Sequence, residues 1–455
     1  MATSLVDPKT LSRAELDERA AYRRAVDAVI WGMPLVNYDR MLQSFIAVGG
    51  GANQIAYWSR LLDGQNQTLT PNPDTIYITP FYDTRVGPMV LEIPAAGEGS
   101  ITGSIDDCWQ NALADVGPAG SDKGAGGKYL ILPPDYAGER PEGYIPVPSD
   151  TWQGYALLRS NVKSSSAEDV AAAVGYGRQI GLYPLSQAAS PPRASYIDLA
   201  GVFYDATIQY DRRFFQALAR MVDREPWLTR DKAMIDPLRS LGIRRGAPFQ
   251  PDPAMQGLFD AAAQEAAAYL DAHYEDVFDP PFYPASHWQL PAMPEVVEGM
   301  PDFFADPDAY PTDGRGVTYS MAYFSAKNIS AAQFYLMAIR DRDGNRLDGA
   351  GTYRLRVPAD APVRLYWSAT AYDRETHALI RDVPRASRAS NSAGIEAAPD
   401  GSVEVWFGPV VAEGKAANWV PTRDDRGFEV LFRIYGPEKA FFEKTWVLPD
   451  IERVN

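Results

Sequence analysis

The spacing of apolar residues changes rhythm three times along this chain. Between residues 14 and 47, Tyr22, Val26, Val29, Ile30 and Met33 return at intervals of three and four with charge opposite them, the period of an amphipathic helix. Pro34 has no N–H to donate, so a bend is expected at Trp31-Gly-Met-Pro-Leu, with a second helical piece from Leu35 to Phe45. The glycines at 49–51 end it. From Ile76 the pattern shortens to strands rich in β-branched and aromatic residues. They start at Ile76, Met89, Ile101, Lys128 and Tyr155, and Gly and Pro separate them. Ser166-Ala-Glu-Asp then opens a helix running to Ile180.

A mixed region follows, with helices expected over Tyr204–Met221 and Ala254–Tyr274 and prolines at 280, 281, 284, 291 and 294. From about 315 the chain reads as all-β, with strands at Gln333–Ile339, Thr352–Val357, Val363–Tyr372, Ser402–Phe407 and Phe428–Tyr435. These changes divide the chain into an N-terminal helical segment (1–50) and an N-terminal β-rich domain (51–190). A helical, proline-rich connection (191–314) and a C-terminal antiparallel β-sandwich or jelly-roll (315–455) complete an α+β, β-rich fold. A chain of 455 residues suits several domains rather than one core.

Composition narrows the function classes. A net charge of −16 disfavours nucleic acid and anionic membranes, and no apolar run approaches the ~20 residues of a membrane span. A small-molecule substrate is the expected partner. The 25 tyrosines and 10 tryptophans suit half-buried strands and pockets with apolar walls and polar tips. The start of the sequence lacks a basic segment followed by an apolar core, so a cytoplasmic location is expected unless a leader has been removed. Cys108 is the only cysteine, which rules out an intrachain disulfide and a thiolate cluster; beside Asp106 and Asp107 it reads as a buried, inert thiol. Three histidines without ligand spacing argue against a zinc site, and no phosphate loop, dinucleotide fingerprint or nucleophile elbow occurs. The expectation is therefore chemistry without a metal or other cofactor. Asp341, Asp343 and Asn345 alternate as in a calcium loop, but Arg346 and Thr352 stand where that loop needs Gly and Glu, so a hairpin turn is expected.

The main candidate site is the octapeptide Thr70-Pro-Asn-Pro-Asp-Thr-Ile-Tyr. Its two prolines stiffen the backbone where Asn72, Asp74, Thr75 and Tyr77 hang side by side. Such a segment lines a polar pocket or forms a turn in which Asn72 and Asp74 bond their own backbone, the commoner outcome for these residues. Asp106 and Asp107 form a carboxylate pair next to Trp109, for which solvated loop charge is the commoner reading. Arg159 ends an apolar strand and Arg433 sits inside one, where an arginine pairs with a buried carboxylate, the commoner outcome, or meets an anionic ligand.

With these motifs in order, the chain resembles bacterial two-part proteins carrying domains of unknown function 1254 and 1214. The first part rests on Trp31-Gly-Met-Pro-Leu, the octapeptide, Ile105-Asp-Asp-Cys-Trp and Lys128-Tyr-Leu-Ile-Leu-Pro. The second rests on Leu365-Tyr-Trp-Ser-Ala-Thr-Ala-Tyr-Asp, Ser387-Arg-Ala-Ser, Asn418-Trp-Val-Pro and Phe432-Arg-Ile-Tyr-Gly-Pro. The family usually has Asn-Arg-Tyr-Ser where this chain has Ser387-Arg-Ala-Ser, which removes one ring. The resemblance implies two β-rich domains and a homo-oligomer, and it brings no reaction.

The leading expectation is a cofactor-independent hydrolase or lyase, its small substrate held between the two β domains. Asp74 or Asp107 would be the general base and Tyr77 the donor to developing negative charge. Asn72, Thr75, Arg159, Tyr372, Arg388, Asn418 and Arg433 would bind substrate beside apolar walls of Trp109, Trp367 and Trp419. The alternatives are a non-catalytic protein for a small ligand or metal ion, and an assembly protein whose motif residues lock the domain interface.

Overall fold

The computed structural model describes residues 7–322, 326–327 and 333–454. Two β-sandwiches flank a layer of helices. In the first, a six-stranded sheet runs in the order Tyr196–Asp198, Gln54–Tyr57, Ile76–Asp83, Gln153–Ser160, Ile101–Asp107, Ala112–Val116. A four-stranded sheet (Gly181–Pro184, Met89–Ile93, Gly127–Leu132, Ile145–Pro148) packs on one of its faces around Ile78, Tyr82, Leu91, Ile105 and Tyr129. In the second sandwich, Gln333–Ala338, Phe428–Tyr435, Trp367–Asp373 and Ser387–Ala389 form one sheet. The other holds Trp419–Pro421, Val403–Gly408, Tyr353–Val357 and Glu452–Arg453, and Phe432, Trp367, Leu355 and Phe407 fill the space between. The expected C-terminal sandwich is there, with one departure from antiparallel order: Trp406–Gly408 pairs in parallel with Trp419–Pro421.

The strand Ile76–Asp83 is buried on both faces, and alternation explains its content. Ile78 and Tyr82 enter the sandwich core, while Tyr77 and Phe81 enter a second core shared with the helices. That second core also takes Leu431, Tyr372 and Met337 from the C-terminal domain. The N-terminal helix and the connecting region thus form one layer, seated between a sheet of each domain.

Three expectations change here. The helix Arg13–Ala47 runs unbroken through Pro34, capped at Ser12, whose hydroxyl accepts the Glu15 N–H. Proline leaves the Ile30 carbonyl without its helical donor, and burial holds the helix together regardless. Residues 312–321, expected to pass into β structure, form the helix Thr312–Met321, buried from Gly314 onward. Its two glycines and β-branched residues give it poor helix propensity, which packing overrides. Gly316 is needed for that packing, since a β-carbon there would lie 2.9 Å from the Ile30 carbonyl oxygen. The expected helix over Tyr204–Met221 begins only at Arg212, because Tyr204–Asp205 pairs as a short strand with Asn66–Gln67. The Asp341 turn is a local hairpin: its carboxylate accepts the N–H groups of Asp343 and Asn345 at 3.0 and 2.9 Å.

Candidate functional site

Register builds the site. In the six-stranded sheet Tyr77 and Arg159 are direct cross-strand partners, and the Arg159 guanidinium lies 5.2 Å from the Tyr77 ring centre. In the C-terminal sheet Tyr335 and Arg433 are cross-strand partners in the same way, with the guanidinium 5.6 Å from the ring. The two Tyr–Arg pairs line one small cavity between the domains. Trp58, Leu157, Tyr204 and Leu431 supply apolar wall, and Thr70 and Thr79 add hydroxyls.

The guanidiniums have few partners. Arg433 donates to the Thr370 hydroxyl at 3.0 Å, to the Thr70 carbonyl at 2.7 Å and to the Tyr372 hydroxyl. All three acceptors are uncharged. Arg159 donates from Nε to the Tyr77 hydroxyl at 3.3 Å, and its buried Nη1 has no partner. Among the described residues neither arginine forms an ion pair, although they are 5% and 2% exposed. Burial pushes the phenols of Tyr335 and Tyr435 above their usual range despite Arg159, so these rings stay neutral and supply no counter-charge.

The octapeptide divides its labour. Asn72 accepts the Asp74 N–H at 3.0 Å, the local turn, and donates to Tyr435 and Tyr366 at 2.7 and 3.2 Å, which ties the two domains. Thr75 donates to the Ser160 carbonyl at 3.1 Å. Asp74 accepts from Ser387 at 2.7 Å, and burial raises its carboxyl while that bond and Arg433 pull it down. Tyr77 alone of the four candidates lines the cavity. Its oxygen accepts the Asn72 N–H at 3.0 Å as well as Arg159 Nε, which leaves its own proton to donate.

Other expected site residues lie away from the cavity wall. Tyr372 stands behind Arg433 and donates to the Pro71 carbonyl at 2.6 Å. Trp367 is packed in the C-terminal core, stacked on Phe432 with centroids 5.6 Å apart. Arg388 sits on the short strand Ser387–Ala389. Asn418 clamps Glu396 through that residue's N–H and carbonyl at 2.9 and 2.7 Å, and Trp419 donates to the Gly408 carbonyl at 2.9 Å.

Asp106 and Asp107 are buried at a strand end rather than solvated. Burial drives Asp106 well above the carboxylate range, against a bond from Ser104. Asp107 is used locally, accepting the N–H groups of Trp109 and Asn111 and the Asn111 side chain at 2.8–2.9 Å. Trp109 packs edge-on against Trp31 at 4.9 Å. Cys108 is buried and its thiol is pushed up by burial and then by Glu225 and Asp107, as an inert thiol should be. Sequence reasoning missed Tyr335, although the strand that carries it was expected. Tyr335, Met337 and Ile339 share one face of Gln333–Ile339, and only the pairing register points that face at Arg433. Trp58 and Tyr204 gave no local signal.

A two-sandwich protein with a helical layer and a cationic, aromatic cavity between its domains is the class defined so far. Residues 52–184 match the model of the family described as protein of unknown function DUF1254, and residues 332–439 match that of DUF1214. The chain therefore carries one domain of each family in that order. It is similar over 96% of its length to the whole of the VPA0106 protein from Vibrio parahaemolyticus, at 18% identity and a TM-score of 0.60, which supports the fold. An uncharacterised protein from Burkholderia cenocepacia matches over 97% of this chain and 96% of its own, at 12% identity and a TM-score of 0.43. No curated protein matches the sequence. No helix among the described residues is long and apolar enough to cross a membrane.

Proposed function

We propose that the interdomain cavity binds a small organic anion, a carboxylate with a slender apolar body. The observation that carries this reading is the buried, unpartnered Nη1 of Arg159, a residue that lines the cavity. Leaving a buried cation without its partner costs roughly 3–5 kcal/mol. A ligand carboxylate would satisfy it with charge-assisted bonds. Tyr77 would donate to the same ligand, and Trp58, Leu157 and Leu431 would cover its apolar part. The cavity beside these groups also weighs against a purely structural interface lock.

Turnover by a cofactor-independent hydrolase or lyase is the second reading, favoured by the free proton of Tyr77. Asp74 and Asp107 are not on the cavity wall, so in this reading Tyr77 is the acid and neither carboxylate is the base. A thermal-shift panel tests the binding reading. Aryl and alkyl carboxylates should raise Tm, while their methyl esters and primary amides at equal concentration should not. Equal shifts from charged and neutral members would contradict it.

A further inference from the structure

A second, roomier cavity opens between the helix Pro253–Tyr274 and the C-terminal domain. It shares no lining residue with the first. His377 is on its wall, with Nδ1 2.8 Å from a carboxylate oxygen of Glu429. Glu429 is fully buried, and its other oxygen accepts the Tyr274 hydroxyl at 2.7 Å. A buried carboxylate that holds Nδ1–H fixes both tautomer and ring orientation, leaving Nε2 as a lone-pair acceptor on the opposite edge. Among the described residues no group bonds Nε2, and the His377 side chain is 12% exposed. The ring is further held edge-on to Tyr274, with centroids 5.3 Å apart.

The same turn that carries His377 carries Arg374. Asp373 shapes the turn by accepting the Glu375 N–H at 2.9 Å, and its carbonyl takes the His377 N–H at 2.8 Å. Arg374 lies 4.4 Å from the Tyr274 ring centre and gives Nη2 to Asp271 at 2.6 Å, which leaves other donors of its fork for a ligand oxygen. Leu270, Ile339, Leu347 and Phe428 give the cavity apolar wall. Ser320 also lines it, but its hydroxyl is donated to the Val317 carbonyl at 2.7 Å. That bond leaves Ser320 without the free hydroxyl a nucleophile needs.

We propose that this second cavity hydrolyses esters of small apolar carboxylic acids by general-base catalysis, with His377 as the base. His377 Nε2 takes a proton from water as the water oxygen adds to the ester carbonyl carbon. Arg374 receives the charge that develops on the carbonyl oxygen. The bond to the alcohol oxygen then breaks, its electron pair leaves with that oxygen, and the proton on Nε2 goes to it. Water and ester are consumed, acid and alcohol are released, and the imidazole is restored. Glu429 acts through His377 as a positioning residue.

The test is hydrolysis of p-nitrophenyl acetate, butyrate and hexanoate by the full chain, followed without a fluorogenic or metal additive. Wild type should turn over at least one of them with no burst of nitrophenolate, since no acyl-enzyme forms. His377→Ala should lose roughly 10²-fold or more in kcat, the usual scale of general-base catalysis, and added imidazole should restore part of it. Glu429→Gln should lower kcat with KM unchanged, and His273→Ala, which alters an exposed imidazole, should leave the rate alone. No hydrolysis above buffer by wild type, or equal rates for wild type and His377→Ala, would overturn the proposal. So would a His377→Ala loss that imidazole does not restore while the variant keeps the wild-type Tm.

Discussion

Thr70 donates its backbone N–H to the His377 carbonyl at 2.7 Å, across the domain boundary and between the two cavities. Both residues lie in the left-handed region, at φ +37° and +53°. A β-branched residue there is a steric outlier, and histidine enters it only occasionally. The same Thr70 carbonyl receives Arg433, so one strained residue holds the octapeptide against the C-terminal sheet from both sides. Thr70→Gly removes the steric conflict and adds unfolded-state entropy; the two effects should cancel to within about 1 kcal/mol. Thr70→Pro loses the N–H and forbids the φ, and should cost more than about 3 kcal/mol. Urea unfolding of the two variants separates them.

Arg159 gives a prediction of opposite sign for stability and binding. Its replacement by methionine removes a buried cation whose Nη1 is unpartnered and keeps much of the apolar volume. Arg159→Met should stabilise the unliganded protein by about 1–3 kcal/mol, as replacement of buried charge by apolar side chains often does. Differential scanning calorimetry without ligand reads it directly. A lower Tm would mean that the guanidinium already has an anionic partner.

Glu225 makes stability depend on pH. Its carboxyl accepts the backbone N–H groups of Trp152 and Gln153 at 2.7 and 3.2 Å, yet burial pushes it from 4.5 up to about 7. A carboxyl raised by folding binds its proton more tightly in the native state, so its contribution is complete below pH 4.5 and is lost as pH climbs through about 7. The loss is at most about 3 kcal/mol. Denaturant unfolding from pH 5 to 8 should show that decline, and Glu225→Gln should make it shallower, leaving the share of Asp106, which burial raises as well.

Gly316 is a packing requirement that a stability measurement checks. A methyl group at this position would meet the Ile30 side chain and carbonyl oxygen, both at 2.9 Å, on a helix buried from Gly314 onward. Gly316→Ala should cost about 1–3 kcal/mol even though alanine is the better helix former. A neutral or stabilising result would show that the two helices slide apart.

Much of the fold was legible because strand periodicity is a local property. Ile76–Asp83, Met89–Ile93, Gly127–Leu132 and Phe428–Tyr435 carry their pattern in their own residues. Thr312–Met321 did not, because its helix exists through contact with Ile30 and its neighbours and against its own propensity. The site divides the same way. Tyr77 stood out in the proline-braced octapeptide and Arg159 and Arg433 as charges in apolar strands, and all three line the cavity. Asn72 and Asp74 stood out for their turn chemistry; Asn72 makes the local bond, and the Asp74 carboxylate bonds Ser387 instead of its own backbone. What no single stretch encodes is register: the pairing of Tyr77 with Arg159, and of Tyr335 with Arg433, is set by strands far apart in sequence. His377 was read only as a poor zinc ligand, since Glu429, 52 residues further on, is what orients it.

Isothermal titration of a stabilising carboxylate into wild type and Arg159→Met tests the cavity most directly. Wild type should bind one equivalent, and the variant, folded and no less stable, should bind at least about tenfold more weakly, as the loss of a charge-assisted pair requires. Equal affinity in the two proteins would contradict a carboxylate seated on Arg159.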